Sequence, residues 1–210
     1  MNLSKWTPPD EGALFVVTGP SGTGKTTLVK AALNVIPNLA FSTSSTTRSQ
    51  RSGEQHGVDY FFCSQDSFER DIQADRFLEW AQVYGRYYGT PKAPIEQALG
   101  EGKSIILDID AQGAEQIRNK MPAAISIFVL PPDIATLQHR LEQRKTDSKA
   151  IIAGRMQEAT EQLRQCVHFD YIIVNDDLES AKNQFQAIVI AELLRKNRRK
   201  SIINHFASHN

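Results

Sequence analysis

Residues 19–26 read GPSGTGKT, directly after the apolar run ALFVVT (13–18) and one residue before LVKAALNVI (28–36), a segment of helical character. The pattern GxxxxGK[ST] between a strand and a helix has a defined physical use. Glycines let successive backbone N–H groups turn inward around phosphate oxygens, and the helix N-terminus adds its partial positive charge. In such a loop Lys25 reaches the β and γ phosphates, and the Thr26 hydroxyl can ligate Mg²⁺. Gly19, Pro20, Ser21, Gly22, Thr23, Gly24, Lys25, Thr26 and Thr27 are therefore the candidate cradle for a nucleotide.

Further β-rich apolar runs follow: SIILDI (104–109), ISIFVL (125–130) and YIIV (171–174). Strands without alternation are buried on both faces. Between them lie helical stripes, Ile134, Leu137 and Leu141 in one, Phe185, Ile188, Val189 and Leu193 in another. Pro131, Pro132 and Asp133 supply a stop and an N-cap before the first, and NRRK (197–200) closes the second. Strands alternating with helices predict an α/β fold, a doubly wound parallel sheet of the P-loop NTPase type. SIILDID ends in two acids that diverge at the strand end and are given separate jobs. Asp108 is the candidate for the magnesium shell. Read alone, an Asp at a strand end is as readily a helix cap.

Residues 44–98 break this rhythm. VDYFF (58–62), FLEWAQVYG (77–85) and YYG (87–89) predict short strands, with a helix near SFERDIQA, which together make a small mixed β insert. The insert opens on SSTTRSQRSGE (44–54), where Arg48 and Arg51 stand among hydroxyls and a glycine with almost nothing apolar to bury. That loop is suited to an anion. A second anion site beside the P-loop implies two phosphorylated ligands and a cleft between two modules. The expected division is a core of 1–43 and 99–210, a helical lid at about 134–165, and the insert at 44–98.

Lys+Arg and Asp+Glu balance at 24 each, so no long-range field marks the whole chain as a binder of nucleic acid or membrane. Any cationic site must be local. Cys63 and Cys166 sit in no CxxC or Cys/His spacing, which argues against zinc, a disulfide or thiol catalysis. MNLSKWTPPDEG has no apolar h-region and no later run approaches a membrane span, so a soluble cytoplasmic protein is expected.

With these residues in view, the chain resembles guanylate kinase along nearly its whole length. The motifs that carry the resemblance are GPSGTGKT, SSTTRxxRxGExxGxDYxF (44–62), FLEWAQVYGxYYGT (77–90), ILDIDxQG (106–113) and IVNDD (173–177). The resemblance implies transfer of the ATP γ-phosphoryl group to GMP, with Mg²⁺ accompanying ATP. It makes Arg48, Arg51, Tyr60 and Tyr88 ligands of the GMP phosphate, and Ser44, Glu79, Thr90 and Asp110 holders of guanine. The chemistry agrees, since two guanidinium forks suit a phosphate, and acceptor-only carboxylates suit the guanine N1–H and N2 amine. Adenine presents an acceptor at N1 and would be repelled.

Arg140 and Arg144, one turn apart, and Arg155 on the next helix resemble the family's lid arginines, and Asn175 would help hold the adenine. Lys25, Arg48, Arg144 and Arg155 are the expected catalytic set, acting by charge neutralisation without a nucleophilic side chain. Two positions depart from the family pattern. Arg86 replaces a common asparagine, and Lys145 a common glycine, which puts the GMP affinity and the lid's closing rate in question. The rival readings are a peptide-binding scaffold module of the same fold and a P-loop kinase of phosphorylated sugars. Substrates are expected to be ATP and GMP, without nucleic acid or membrane, and a homo-oligomer stays open.

Overall fold

The computed structural model describes residues 6–83, 85–143 and 149–208. It begins with β1 (Leu14–Thr18), which runs through the glycine loop into α1 (Lys25–Leu33) and then β2 (Leu39–Phe41). The insert follows: β3 (Ser45–Thr46), β4 (Phe61–Phe62), α2 (Gln65–Gln73), β5 (Phe77–Val83) and β6 (Arg86–Pro91). The chain returns through α3 (Lys92–Gly100), β7 (Ser104–Asp108), α4 (Ala111–Lys120) and β8 (Ile125–Leu130). It then builds α5 (Ile134–Glu142), α6 (Lys149–Arg164), β9 (Tyr171–Val174), α7 (Leu178–Leu193) and α8 (Lys200–Ala207).

Strands β2-β7-β1-β8-β9 form a parallel five-stranded sheet, and alternate residues of β1 show why its apolar run is unbroken. Phe15 and Val17 pack on one side with Leu28, Val29 and Ala32 of α1 and Phe185 and Val189 of α7. Leu14 and Val16 pack on the other with Ile95 of α3 and Ala114 and Ile117 of α4. Both faces are covered, as a parallel sheet requires. The doubly wound α/β architecture is thus present, with a second sheet of order β4-β3-β6-β5 beside it.

Local capping sets several boundaries. Asp133 accepts from the Thr136 N–H at 2.6 Å and starts α5, while Ser64 accepts from Ser67 N–H at 3.2 Å and starts α2. Leu137 and Leu141 are buried with Ala159 in a small apolar cluster between α5 and α6, but Ile134 is 47% exposed and leaves the expected stripe.

The structure departs from the expected elements in a few places. Of VDYFF only Phe61–Phe62 is strand, and Val58 is exposed. Conversely, Ser45–Thr46 lies inside the polar loop yet forms an inner strand, because the Thr46 hydroxyl donates to Tyr87 O at 2.9 Å and both residues are buried. The expected boundary at residue 98 falls within α3, whose Ile95 belongs to the core cluster beneath the parallel sheet. NRRK does not end α7, which stops at Leu193; instead a 3₁₀ turn (Lys196–Arg198) leads into α8.

Candidate active site

The P-loop is held by its own backbone. Gly24 has φ 91°, in the left-handed region that disfavours side chains, and a Cβ there would overlap the Asn175 amide. Thr23 is fully buried and its hydroxyl donates to Pro20 O at 3.0 Å, closing the turn. Lys25 Nζ donates to Gly19 O at 2.6 Å and to Pro20 O at 3.3 Å, and lies 4.0 Å from the Asp108 carboxylate. Burial pushes the Asp108 carboxyl above its ordinary range, and the Lys25 ammonium opposes that rise. Thr26 and Thr27, in the first turn of α1, are exposed to the cleft above the loop.

Asn175 directly follows β9. It is buried, and its Nδ2 donates to Thr23 O at 2.7 Å, so the side chain braces the phosphate loop from the end of β9. Arg140 reaches from α5 to donate to the Asn175 carbonyl at 3.1 Å, tying the lid helix to the same point. Arg144 and Lys145 lie outside the described residues. Arg155 falls on α6 by its backbone, and its side chain lies outside what is described.

On the insert, strand pairing assembles a second constellation. The antiparallel register sets Glu79 of β5 opposite Thr90 of β6, and the Thr90 hydroxyl donates to Glu79 Oε1 at 2.5 Å. Glu79 is 5% exposed, and desolvation, with the Asp110 charge adding to it, raises its carboxyl to about 7. Asp110 stands at the head of α4 and accepts from Gly113 N–H at 2.8 Å, so it is both a helix cap and a wall of the cleft.

Arg48, Tyr60 and Tyr88 come together as expected. Tyr60 and Tyr88 meet edge to face at 6.0 Å, and the Arg48 guanidinium sits 5.3 Å from the Tyr60 ring centroid. The Ser44 carbonyl accepts from Phe61 N–H at 2.9 Å, which fixes the loop's start. Arg51 is exposed, with its backbone N–H donating to Glu54 at 2.8 Å.

Glu54 escaped the sequence reading. Its oxygens take both ends of the Arg48 fork, at 2.7 and 3.0 Å, and the Arg48 bonds hold its carboxyl below the usual range. Its signal was available, since it is the first carboxylate after the two arginines. Gln162 of α6 was missed too. A cleft of about 480 Å³ over the P-loop and another of about 410 Å³ beside Gln82 and Gln112 both include Gln162 and Asp110. The two clefts therefore adjoin.

A glycine loop of the phosphate-binding pattern, with a second cleft adjoining it at Asp110 and the buried Glu79–Thr90 pair of the insert nearby, makes this a P-loop nucleotide-binding protein with room for a second ligand. Comparison with known proteins narrows the class. The family model described as guanylate kinase matches residues 11–192. Over 188 residues the chain is 48% identical to the guanylate kinase of Carboxydothermus hydrogenoformans, covering 90% of this chain and 92% of that protein. It is 47% identical over 192 residues to that of Escherichia coli (strain K12), covering 90% and 93%. The crystal structure of guanylate kinase from Anaplasma phagocytophilum superposes with a TM-score of 0.76 at 29% identity, covering 96% of this chain and 97% of that one. The chain belongs to the guanylate kinase family.

Proposed function

We propose that the P-loop cleft holds ATP, the facing side of the insert holds GMP, and the γ-phosphoryl group passes between them. The chain is an ATP:GMP phosphotransferase. A GMP phosphate oxygen forms a bond to the γ-phosphorus while the bond from that phosphorus to the β–γ bridging oxygen breaks, giving GDP and ADP. The observation that carries this reading is that Asp110, which walls the phosphate-loop cleft, also lies close enough for its charge to act on the buried Glu79–Thr90 pair of the insert.

Lys25, at the head of α1, neutralises charge on the transferring group, and the loop N–H groups cradle the phosphates. Among the described residues no cluster of three or more His, Cys, Asp or Glu could hold a metal. That fits Mg²⁺ carried mainly by phosphates and water, with the Thr26 hydroxyl and the Asp108 carboxylate beside it; when bound it would add charge neutralisation at the phosphates. Arg140, Arg144 and Arg155 would close over the cleft from the lid, at about 134–165, and exclude water.

Ser44, Arg48, Arg51, Tyr60, Glu79, Tyr88 and Thr90 of the insert, with Asp110 at the head of α4, form the GMP site in this reading. Glu54 holds the Arg48 fork in shape, leaving its other N–H groups for phosphate. Arg51, exposed and flexible in reach, completes the phosphate contact. Arg51→Ala is expected to weaken GMP binding by about 2 kcal/mol, roughly 30-fold, with little change in melting temperature. Calorimetric titration with GMP checks it, and an unchanged Kd would remove this loop from the site.

Among the described residues no helix is long and apolar enough to cross a membrane. ATP and GMP as substrates, and two free half-buried thiols, suit the cytoplasm. The reading is tested by coupled assay of ADP release with GMP, AMP and ribose phosphates. Turnover restricted to GMP is expected. Faster turnover of a ribose phosphate would favour the sugar-kinase reading, and no turnover with any acceptor would favour a binding module.

A further inference from the structure

Gly113 sits in the first turn of α4, where glycine is among the poorest helix residues and no left-handed backbone angle calls for it. Its surroundings supply the reason. A Cβ at Gly113 would lie 2.7 Å from Glu79 Oε2, 3.2 Å from Glu79 Cδ and 3.2 Å from Ile109 Cδ1. The first of these is closer than van der Waals contact allows, so something must move.

The helix is poorly placed to yield. Gln116 bonds both backbone groups of Trp80, accepting from its N–H at 3.1 Å and donating to its carbonyl at 2.8 Å. Lys120 donates to Phe77 O at 2.9 Å. These three bonds fasten α4 along β5 on either side of Glu79, so its carboxylate is the part that must turn. That group has little freedom either, since it is buried and its other oxygen accepts from Thr90. The Gly113 N–H meanwhile holds Asp110 Oδ1 at 2.8 Å.

We infer that Gly113 is a positioning residue for base recognition: its missing side chain seats the Glu79 carboxylate, and its N–H orients Asp110. The inference rests on the proposal that Glu79 and Asp110 face guanine, and adds a residue that touches neither substrate. Its consequence is selective. Misplacing an acceptor near the base by a fraction of an ångström should weaken GMP and leave the ATP cradle, on the other side of Asp110, as it was.

The test is Gly113→Ala. It is expected to raise KM for GMP about tenfold or more and to lower the GMP-over-AMP ratio of kcat/KM, while KM for ATP stays within about twofold. In a Glu79→Gln background the same substitution should change KM for GMP by less than about threefold, because the seated group is already altered. An equal loss in both backgrounds, or a KM for ATP that moves as much as that for GMP, would overturn the inference. Should Gly113→Ala not fold, the Glu79→Ala/Gly113→Ala pair decides: the methyl then meets no carboxylate, and the double variant should melt at or above Glu79→Ala alone. Failure of that pair to fold would also overturn it. Glu79→Gln alone separates the two levels. If it leaves the GMP-over-AMP ratio unchanged, the base-reading proposal fails with this one; if it lowers the ratio and Gly113→Ala does not, only the Gly113 inference falls.

Discussion

Lys25→Ala is expected to lower kcat by about 10³-fold or more, with the fold intact and the Kd for GMP near its wild-type value. The ammonium is placed by helix α1 at the mouth of the loop, where it rests on the Gly19 and Pro20 carbonyls. With triphosphate bound, those contacts would be exchanged for the β and γ oxygens. No other side chain on the loop carries charge, so nothing compensates when the transferring group becomes most charge-dispersed. A second effect runs the same way: without Lys25, the partly buried Asp108 loses the cation that opposes its raised pKa. Stability should change little, because the lost bonds join the side chain only to carbonyls of its own loop, five and six residues away. Rapid-quench measurement of ADP formation, with GMP calorimetry and a melting curve on the same sample, checks all three. A kcat within tenfold of wild type would sink the assignment of this loop as the donor site.

Glu79→Gln is expected to lower kcat/KM for GMP by about 10²-fold and to change AMP much less, so the GMP-over-AMP ratio collapses. Guanine offers two adjacent donors, and an amide turns only one acceptor towards them while its NH₂ must point elsewhere. A constant ratio would return Glu79 to a structural role. The pH dependence sharpens the test. Burial raises the Glu79 carboxyl from the ordinary 4.5 to about 7, so below neutrality the acid form prevails and one acceptor becomes a donor. KM for GMP should therefore rise as pH falls below about 7. Part of that slope belongs to the GMP phosphate itself, which titrates near pH 6, and the difference between wild type and Glu79→Gln isolates the carboxyl.

Stability moves in the opposite sense. A carboxyl whose folded pKa is raised leaves the fold at full stability below about 4.5 and weakens it as pH climbs through about 7, since the unfolded chain ionises first. Glu79→Gln should accordingly melt higher than wild type at pH 8, by an amount on the order of 3 kcal/mol, and match it near pH 4. A site that gains stability when its recognition group is neutralised is one where binding, not folding, keeps the charge.

Much of this was legible along the chain because its signals are local. A glycine at fixed offset before Lys25, an apolar run without alternation, and an Asp preceding a helical stripe each act through the backbone of their own few residues. The P-loop, the strands ending in Asp108 and Leu130, and the cap at Asp133 accordingly appear where spacing puts them. The tertiary structure alone decided what those segments meet. Thr90 reaches Glu79 because β5 and β6 pair in one register of several, and Asn175 braces Thr23 from 152 residues away. Glu54 closes on Arg48 only once the loop turns back on itself, and Gly113 matters only because α4 is fastened along β5. Ser45 and Thr46 read as loop and became strand, since burial between β4 and β6 outweighed their polarity. Periodicity records which face of an element is apolar, but register and helix spacing are settled by packing between elements distant in sequence, and that is where the groups proposed to read the base are assembled.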